Sequence, residues 1–291
     1  MFPSPFRRAS RLTLVATAVL LAAGLVLPAS AEAALPSWAP APVDLSPVRA
    51  VTGQPAADDP IGYDISFPQC GGRFPSNPAF AIVGVNQGRA FTVNPCLGAG
   101  AGPSQLEWAG PAAQLYLNTG YPGPELSKAP WPSGQLVPRF CDPEAPHSAE
   151  CAYDYGWNAA AHAYQAAVDA YVSLGWAQEG AAGTPVANWW WLDVEIGNSW
   201  SDDAALNAAS LQGTIDYLET RDVAGIGIYS VGPMWTEITG GTDAFVDYPN
   251  WVAGATTING ARRTCIGAGF SGGPVLLTQY THDGFDANHR C

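Results

Sequence analysis

Trp189-Trp190-Trp191-Leu192-Asp193-Val194-Glu195 is the stretch on which the fold turns. Four large apolar residues run without a break into two acids separated by one residue. An uninterrupted apolar run of this length reads as a strand buried on both faces, the kind found in parallel sheets covered by helices. Side chains alternate along a strand, so Asp193 and Glu195 point to one face, with Cα atoms about 6–7 Å apart. The segments on either side read as helices. In Tyr155–Leu174, the residues Ala160, Tyr164, Ala167, Tyr171 and Leu174 recur at three-to-four spacing, and Ser201-Asp202-Asp203 caps a second helix running to about Arg221.

Outward from this unit, further short apolar runs occupy Gly62–Ser66, Phe80–Asn86, Gln114–Asn118, Gly225–Ser230, Asn250–Ala253 and Val275–Tyr280. A short helix is expected over Pro233–Ile238, and beyond Trp251 the helical signal fades. Strands alternating with helices give βα units and a parallel sheet. Seven or eight such strands in one domain predict an α/β fold: an irregular TIM-like (β/α) barrel with helices missing toward its C-terminal end. A doubly wound open sheet is the alternative, but no glycine-rich fingerprint follows the first strand.

The barrel is assigned to residues 61–291. Ahead of it, Arg7, Arg8 and Arg11 precede an apolar run from Leu12 to Leu27, followed by Ala29-Ser30-Ala31 and Ala31-Glu32-Ala33. That pattern reads as a secretory signal peptide over residues 1–33 and predicts a secreted, extracellular protein. Residues 34–60, rich in Pro and Ala and lacking an amphipathic period, read as a linker. Six cysteines follow, an even number suited to disulfides in an exported chain; six allow 15 connectivities, and proximity favours Cys70–Cys96, Cys141–Cys151 and Cys265–Cys291. The four histidines lack metal-ligand spacing and no C-x-x-C pair occurs, so neither a metal nor a cofactor is expected. With 12 Lys+Arg against 25 Asp+Glu, a net charge of −13 and a pI near 4.5, the chain cannot neutralise phosphates as a nucleic-acid binder must. Only one long apolar run exists, so no stable membrane insertion is expected after cleavage.

The chemistry is expected among the acids. Asp193 and Glu195 sit at the C-terminal end of a barrel strand, where barrel enzymes keep their sites. Burial beside three tryptophans and a second carboxyl raises a carboxyl pKa, so that one acid stays protonated while the other ionises. Asp64 lies in the first strand and Asp286 just past the last. First and last strands are neighbours in a closed barrel, so the four carboxylates are expected to converge on one mouth.

The ordered set Gly62-Tyr63-Asp64-Ile65-Ser66, Leu192-Asp193-Val194-Glu195, Gly227-Ile228-Tyr229-Ser230, Trp251-Val252-Ala253 and Gln279-Tyr280 followed by Asp286 resembles glycoside hydrolase family 25, the Chalaropsis-type lysozymes. The resemblance implies an irregular β/α barrel and a muramidase that cuts β-1,4 bonds in peptidoglycan or a related amino-sugar polymer, acting as a monomer. It implies Glu195 as general acid, Asp193 as the group that stabilises positive charge or orients the acetamido group, and Asp64 and Asp286 as positioning acids. Tyr229, Tyr121 and Trp251 are the candidate sugar contacts. Departures stand at the third strand, where Leu115-Tyr116-Leu117-Asn118 replaces the family's aromatic-His segment, at Gly84 or Asn86 on the second, and in the insert around Cys141–Cys151. They leave open a secreted barrel that binds glycan without cutting it.

Overall fold

The computed structural model describes residues 60–100, 102–176 and 185–291, so the expected signal peptide (1–33) and all of the linker (34–60) but Pro60 lie outside the described residues. Eight strands close into a barrel in chain order: β1 (Gly62–Ile65), β2 (Phe80–Gly84), β3 (Gln114–Asn118), β4 (Trp189–Asp193), β5 (Gly225–Ser230), β6 (Asn250–Ala255), β7 (Val275–His282) and β8 (Phe285–Arg290). β1 to β7 pair in parallel, while β8 runs antiparallel to both β7 and β1 and closes the ring. This corrects one expectation. The last strand expected from the sequence, β7, does not neighbour the first directly, because β8 stands between them. Asp286 is therefore a strand residue, paired in register with Asp64. The turn joining β7 to β8 is Asp283-Gly284, both at positive φ (50° and 80°), the conformation that two-residue hairpin loops demand.

The alternation within β4 organises the packing. Trp190 and Leu192 face outward into the main core, with Ile226 and Ile228 of β5 and the covering helices. Trp189 and Trp191 face inward and fill the barrel with Ile82, Trp251 and Leu277. Their bulk is accommodated by glycine opposite: a Cβ at Gly225 would stand 2.3 Å from the Trp189 ring, and one at Gly227 only 2.2 Å from the Trp191 ring. Large residues on one strand and none on the next let a small barrel close without voids.

The helices are α1 (Gln105–Ala109), α2 (Ala149–Ser173), α3 (Ala204–Glu219), α4 (Gly232–Thr239) and α5 (Ile258–Thr264). α2 starts ahead of the periodic stretch, at the cap Ser148, whose hydroxyl accepts from Cys151 N. Asp203 caps α3 through Ala205 N and Leu206 N. α2 and α3 pack closely because Gly156 meets the Ser210 backbone and Gly213 meets the Tyr153 carbonyl. The later part holds only the short helices α4 and α5, which agrees with helices missing toward the C-terminus. All three disulfides pair as proximity suggested, Cys70–Cys96, Cys141–Cys151 and Cys265–Cys291. Among the described residues no helix is long and apolar enough to cross a membrane.

Candidate active site

At the end of the barrel where the parallel strands finish, a cleft of about 300 Å³ is lined by Asp64, Tyr116, Asp193, Glu195, Tyr229, Trp251, Gln279 and Asp286. The structure thus brings all four expected acids together, with Tyr229 and Trp251 among them. β1 supplies Asp64, β4 supplies Asp193, and β8 supplies Asp286. Glu195 lies two residues past the end of β4, where Val194 N still bonds the Tyr229 carbonyl at 2.9 Å and keeps the backbone extended. The expected strand ran through Glu195; it ends at Asp193, which leaves Glu195 more exposed than its buried partner. No Lys, Arg or His lines the cleft, and the described residues hold no cluster of side chains suited to a metal ion.

Each acid of the central strands is fixed from behind. Asp64 accepts from Asn288 Nδ2 at 2.7 Å and from Gln279 Nε2 at 3.1 and 3.3 Å. The Trp251 indole N–H donates to Asn288 Oδ1 at 2.8 Å, and the Tyr229 hydroxyl donates to Gln279 Oε1 at 2.9 Å. With the Tyr229 and Trp251 rings in edge contact at 4.5 Å between centroids, these four side chains and the Asp64 carboxyl close a ring of contacts. Asp193 accepts from Asn118 Nδ2 at Oδ2, while Oδ1 is buried and receives no N–H; the carboxyl pairs instead with that of Glu195. Asn198 Nδ2 and Thr119 Oγ1 donate to the Asp193 carbonyl at 3.0 and 2.6 Å, holding the strand end in place.

Burial and mutual repulsion set the protonation. Burial, then the Asp286 charge, push Asp64 up to about 7, against the opposing bonds from Asn288 and Gln279. Asp193 is raised well above the usual carboxylate range, first by burial and then by Glu195 beside it. Glu195 is raised mainly by burial, partly offset by its hydrogen bond with Asp193, and Asp286, which still reaches solvent, is raised by its partial burial. The buried Asp64 and Asp193, with Glu195 and Asp286 beside them, cannot all ionise together, so the cluster keeps protons toward neutrality. The phenols of Tyr116 and Tyr229 are pushed far up by burial and by the surrounding acids, so both remain neutral.

Tyr121 does not join this cleft. It is fully buried in a separate aromatic cluster with Tyr155 and Trp131, and no ring face is open to a sugar. Trp251 forms the floor of the cleft and is itself almost fully buried, its indole nitrogen committed to Asn288. Sequence reasoning passed over Tyr116, Gln279, Asn118 and Asn288 as site residues. Period-two alternation from known inward positions would have reached three of them: Tyr116 and Asn118 follow Gln114 on β3, and Asn288 follows Asp286 on β8.

No family model matches the chain. Among curated proteins, "Probable GH family 25 lysozyme 5" of Dictyostelium discoideum is 38% identical over 64 residues, a match spanning 22% of this chain and 30% of that protein. The chain therefore matches less than a third of that relative's length. Solved structures with a similar course of the chain include a family GH25 lysozyme from Aspergillus fumigatus (13% identity, covering 80% of this chain and 94% of that one, TM-score 0.46). They also include the bacterial lysozyme from Streptomyces coelicolor (13%, 81% and 93%, 0.45) and a muramidase from Trichobolus zukalii (15%, 79% and 93%, 0.44). The family resemblance read from the motifs thus has a named counterpart among curated proteins.

Proposed function

We propose that this protein is a secreted, monomeric glycoside hydrolase that cleaves β-1,4 bonds in peptidoglycan, in the manner of an N-acetylmuramidase. The observation that carries the reading is the convergence of Asp64, Asp193, Glu195 and Asp286 on one open cleft with no cation among its lining residues. Glycoside cleavage needs a proton donor for the leaving oxygen and negative charge against an oxocarbenium-like transition state. A cluster that holds part of its protons near neutrality and lacks a positive partner offers both. The resemblance to family 25 lysozymes supports the same assignment.

In this mechanism Glu195, the more accessible member of the central pair, delivers its proton to the glycosidic oxygen as the bond to the anomeric carbon breaks. Positive charge then grows on the sugar ring in a site where every ionised neighbour is an anion, so the transition state gains more than the neutral ground state. Asp193 lines the cleft beside Glu195. Its carboxyl accepts the N–H of the substrate's acetamido group and turns the group toward the anomeric carbon, where water then adds and returns a proton to Glu195. Asp64 and Asp286 supply field and position, and the neutral Tyr116 and Tyr229 hydroxyls bond sugar oxygens.

The test uses purified wall, followed by turbidity and new reducing ends, with the products identified by mass spectrometry. Glu195→Gln keeps the shape and removes the proton donor. It is expected to abolish both signals without lowering the melting temperature. Equal clearing by parent and variant would overturn the assignment, and binding of oligosaccharide by an inactive parent would point instead to a glycan-binding barrel.

A further inference from the structure

Beside the acid cleft lies a larger one of about 750 Å³, and its charge is opposite. Arg89 and Lys128 line it, together with His162, and no Asp or Glu does. The contrast is sharp in a chain with 25 acidic and 12 basic residues. Neither Arg89 nor Lys128 makes an ion pair among the described residues. His162 Nδ1 is buried without a hydrogen-bond partner.

The walls are built rather than incidental. Phe91 takes a left-handed backbone (φ 58°), which a bulky side chain seldom adopts. Its ring packs against Tyr155 at 5.1 Å and His162 at 5.9 Å. A strained residue held in place by the surface it helps to form is a mark of a functional site. The far wall comes from α2, through Tyr155, Asn158 and His162, and from the loop at residues 126–130.

The two clefts share a thin partition. Asn118 bonds Asp193 in the acid cleft, while the next residue, Thr119, lines the basic one and donates its hydroxyl to the Asp193 carbonyl. Ser199, next to Asn198 on the Asp193 carbonyl, lines the same side. Consecutive residues, about 3.8 Å apart at Cα, thus serve the two clefts, so that a ligand with a sugar ring over the acids and an anionic arm can span them.

We propose that the basic cleft is a subsite for the peptide carried by the glycan, taking the free carboxylates of an acidic peptide on Arg89 and Lys128. The apolar stems of that peptide lie on Phe91, which Tyr155 backs from behind. This rests on the glycan-cleaving reading and adds the substituent that the substrate must carry. Opposed charges on neighbouring clefts also set register, since an anionic arm is repelled by one and drawn to the other.

The probe is an N-acetylmuramyl peptide with free carboxylates, which has one sugar and no bond to cut, compared with the same molecule after amidation of its carboxylates. Calorimetry on the full protein is expected to show the acid form binding roughly tenfold tighter than the amide, as befits loss of a charge-assisted contact. In the variant R89Q/K128Q, checked for unchanged thermal unfolding, the preference is expected to vanish. Equal binding of both forms by the parent, absence of binding, or a preference that survives in the variant would each overturn the proposal. Turnover of purified wall is measured in parallel. Preference without turnover overturns the cleavage reading and upholds the subsite; turnover without preference does the reverse.

Discussion

Replacing Asp64 by Asn separates the chemistry of the acid cluster from its cost to stability. The folded protein holds the Asp64 carboxyl at about 7, against an ordinary 3.8. Between these values the folded state keeps a proton that the unfolded chain has released. Stability contributed at this position is therefore complete below about pH 4, falls as pH rises, and is lost once pH passes 7. At ~1.4 kcal/mol per pH unit the full loss is about 4 kcal/mol. A side-chain amide at this position carries no charge and escapes it. The amide has one acceptor oxygen, whereas the carboxyl, protonated or not, keeps acceptor capacity on both, so either Asn288 Nδ2 or Gln279 Nε2 loses its partner, at about 1–2 kcal/mol. The net expectation is a gain of about 2–3 kcal/mol at pH 8 and a loss of about 1–2 kcal/mol at pH 4.

Thermal unfolding of parent and variant at the two pH values reads this directly. A domain of this size shifts by about 2–4 °C per kcal/mol. Asp64→Asn should melt about 5–10 °C higher than the parent at pH 8 and a few degrees lower at pH 4, with wall-clearing activity reduced at both. The crossing of the two curves is the signature. A shift of the same sign and size at both pH values, or a lower melting temperature at pH 8, would refute the claim that Asp64 is ionised at a cost.

Further perturbations probe other parts of the structure. Gly227→Ala puts a methyl 2.2 Å from the Trp191 ring and should cost about 1–3 kcal/mol, read by denaturant unfolding, because neither the ring nor the strand behind it can yield. Cys265→Ser with Cys291→Ser opens a loop of separation 26 that ties the end of β8 to α5, with an expected loss of about 3 kcal/mol and faster hydrogen exchange along β8. Asn118→Ala removes the donor to Asp193 Oδ2; without it Asp193 is harder to ionise, so the acidic limb of the pH–activity profile should move to higher pH while turnover falls roughly tenfold.

Much of this was legible in the sequence, for physical reasons that also explain what was not. The apolar run through Trp189–Leu192 is long enough to require burial on both faces, and that alone selects a covered parallel strand. Asp193 and Glu195 inherit their common side from strand alternation. The parallel barrel followed from strands spaced by helices. β8 escaped because Phe285–Arg290 is polar at four of its six positions and because its partner strand was ended at Tyr280. The signal was present in Asp283-Gly284, a dipeptide suited to the two-residue hairpin turn that reverses the chain. Tyr121 misled because Gly120-Tyr121-Pro122-Gly123 has the composition of an exposed loop, yet Tyr121 N bonds Ser199 O at 2.8 Å and draws the ring inward. The asparagines around Asp193 carry no pattern of their own; only the register of β3 against β4, Asn118 beside Asp193, gives them a role.

The placement of the acids explains why the interior is built as it is. A cluster of carboxyls with no cation tends to open the barrel mouth, since ionisation of the buried Asp64 and Asp193 adds repulsion that water screens poorly. The restraint lies directly beneath. Trp191, Trp251, Ile82 and Leu277 fill the barrel just below the cleft, and the inward bonds from Trp251 through Asn288 and from Tyr229 through Gln279 join β5, β6, β7 and β8 to the Asp64 carboxyl on β1. The seam where β8 runs against β1 is where the barrel departs from a regular parallel ring, and it is also where Asp64 and Asp286 stand opposite each other. An antiparallel pair in direct register sets those two side chains on one face of the sheet, side by side. The irregular closure is thus part of the site: it supplies the neighbouring charge that, after burial, does most to keep the proton on Asp64.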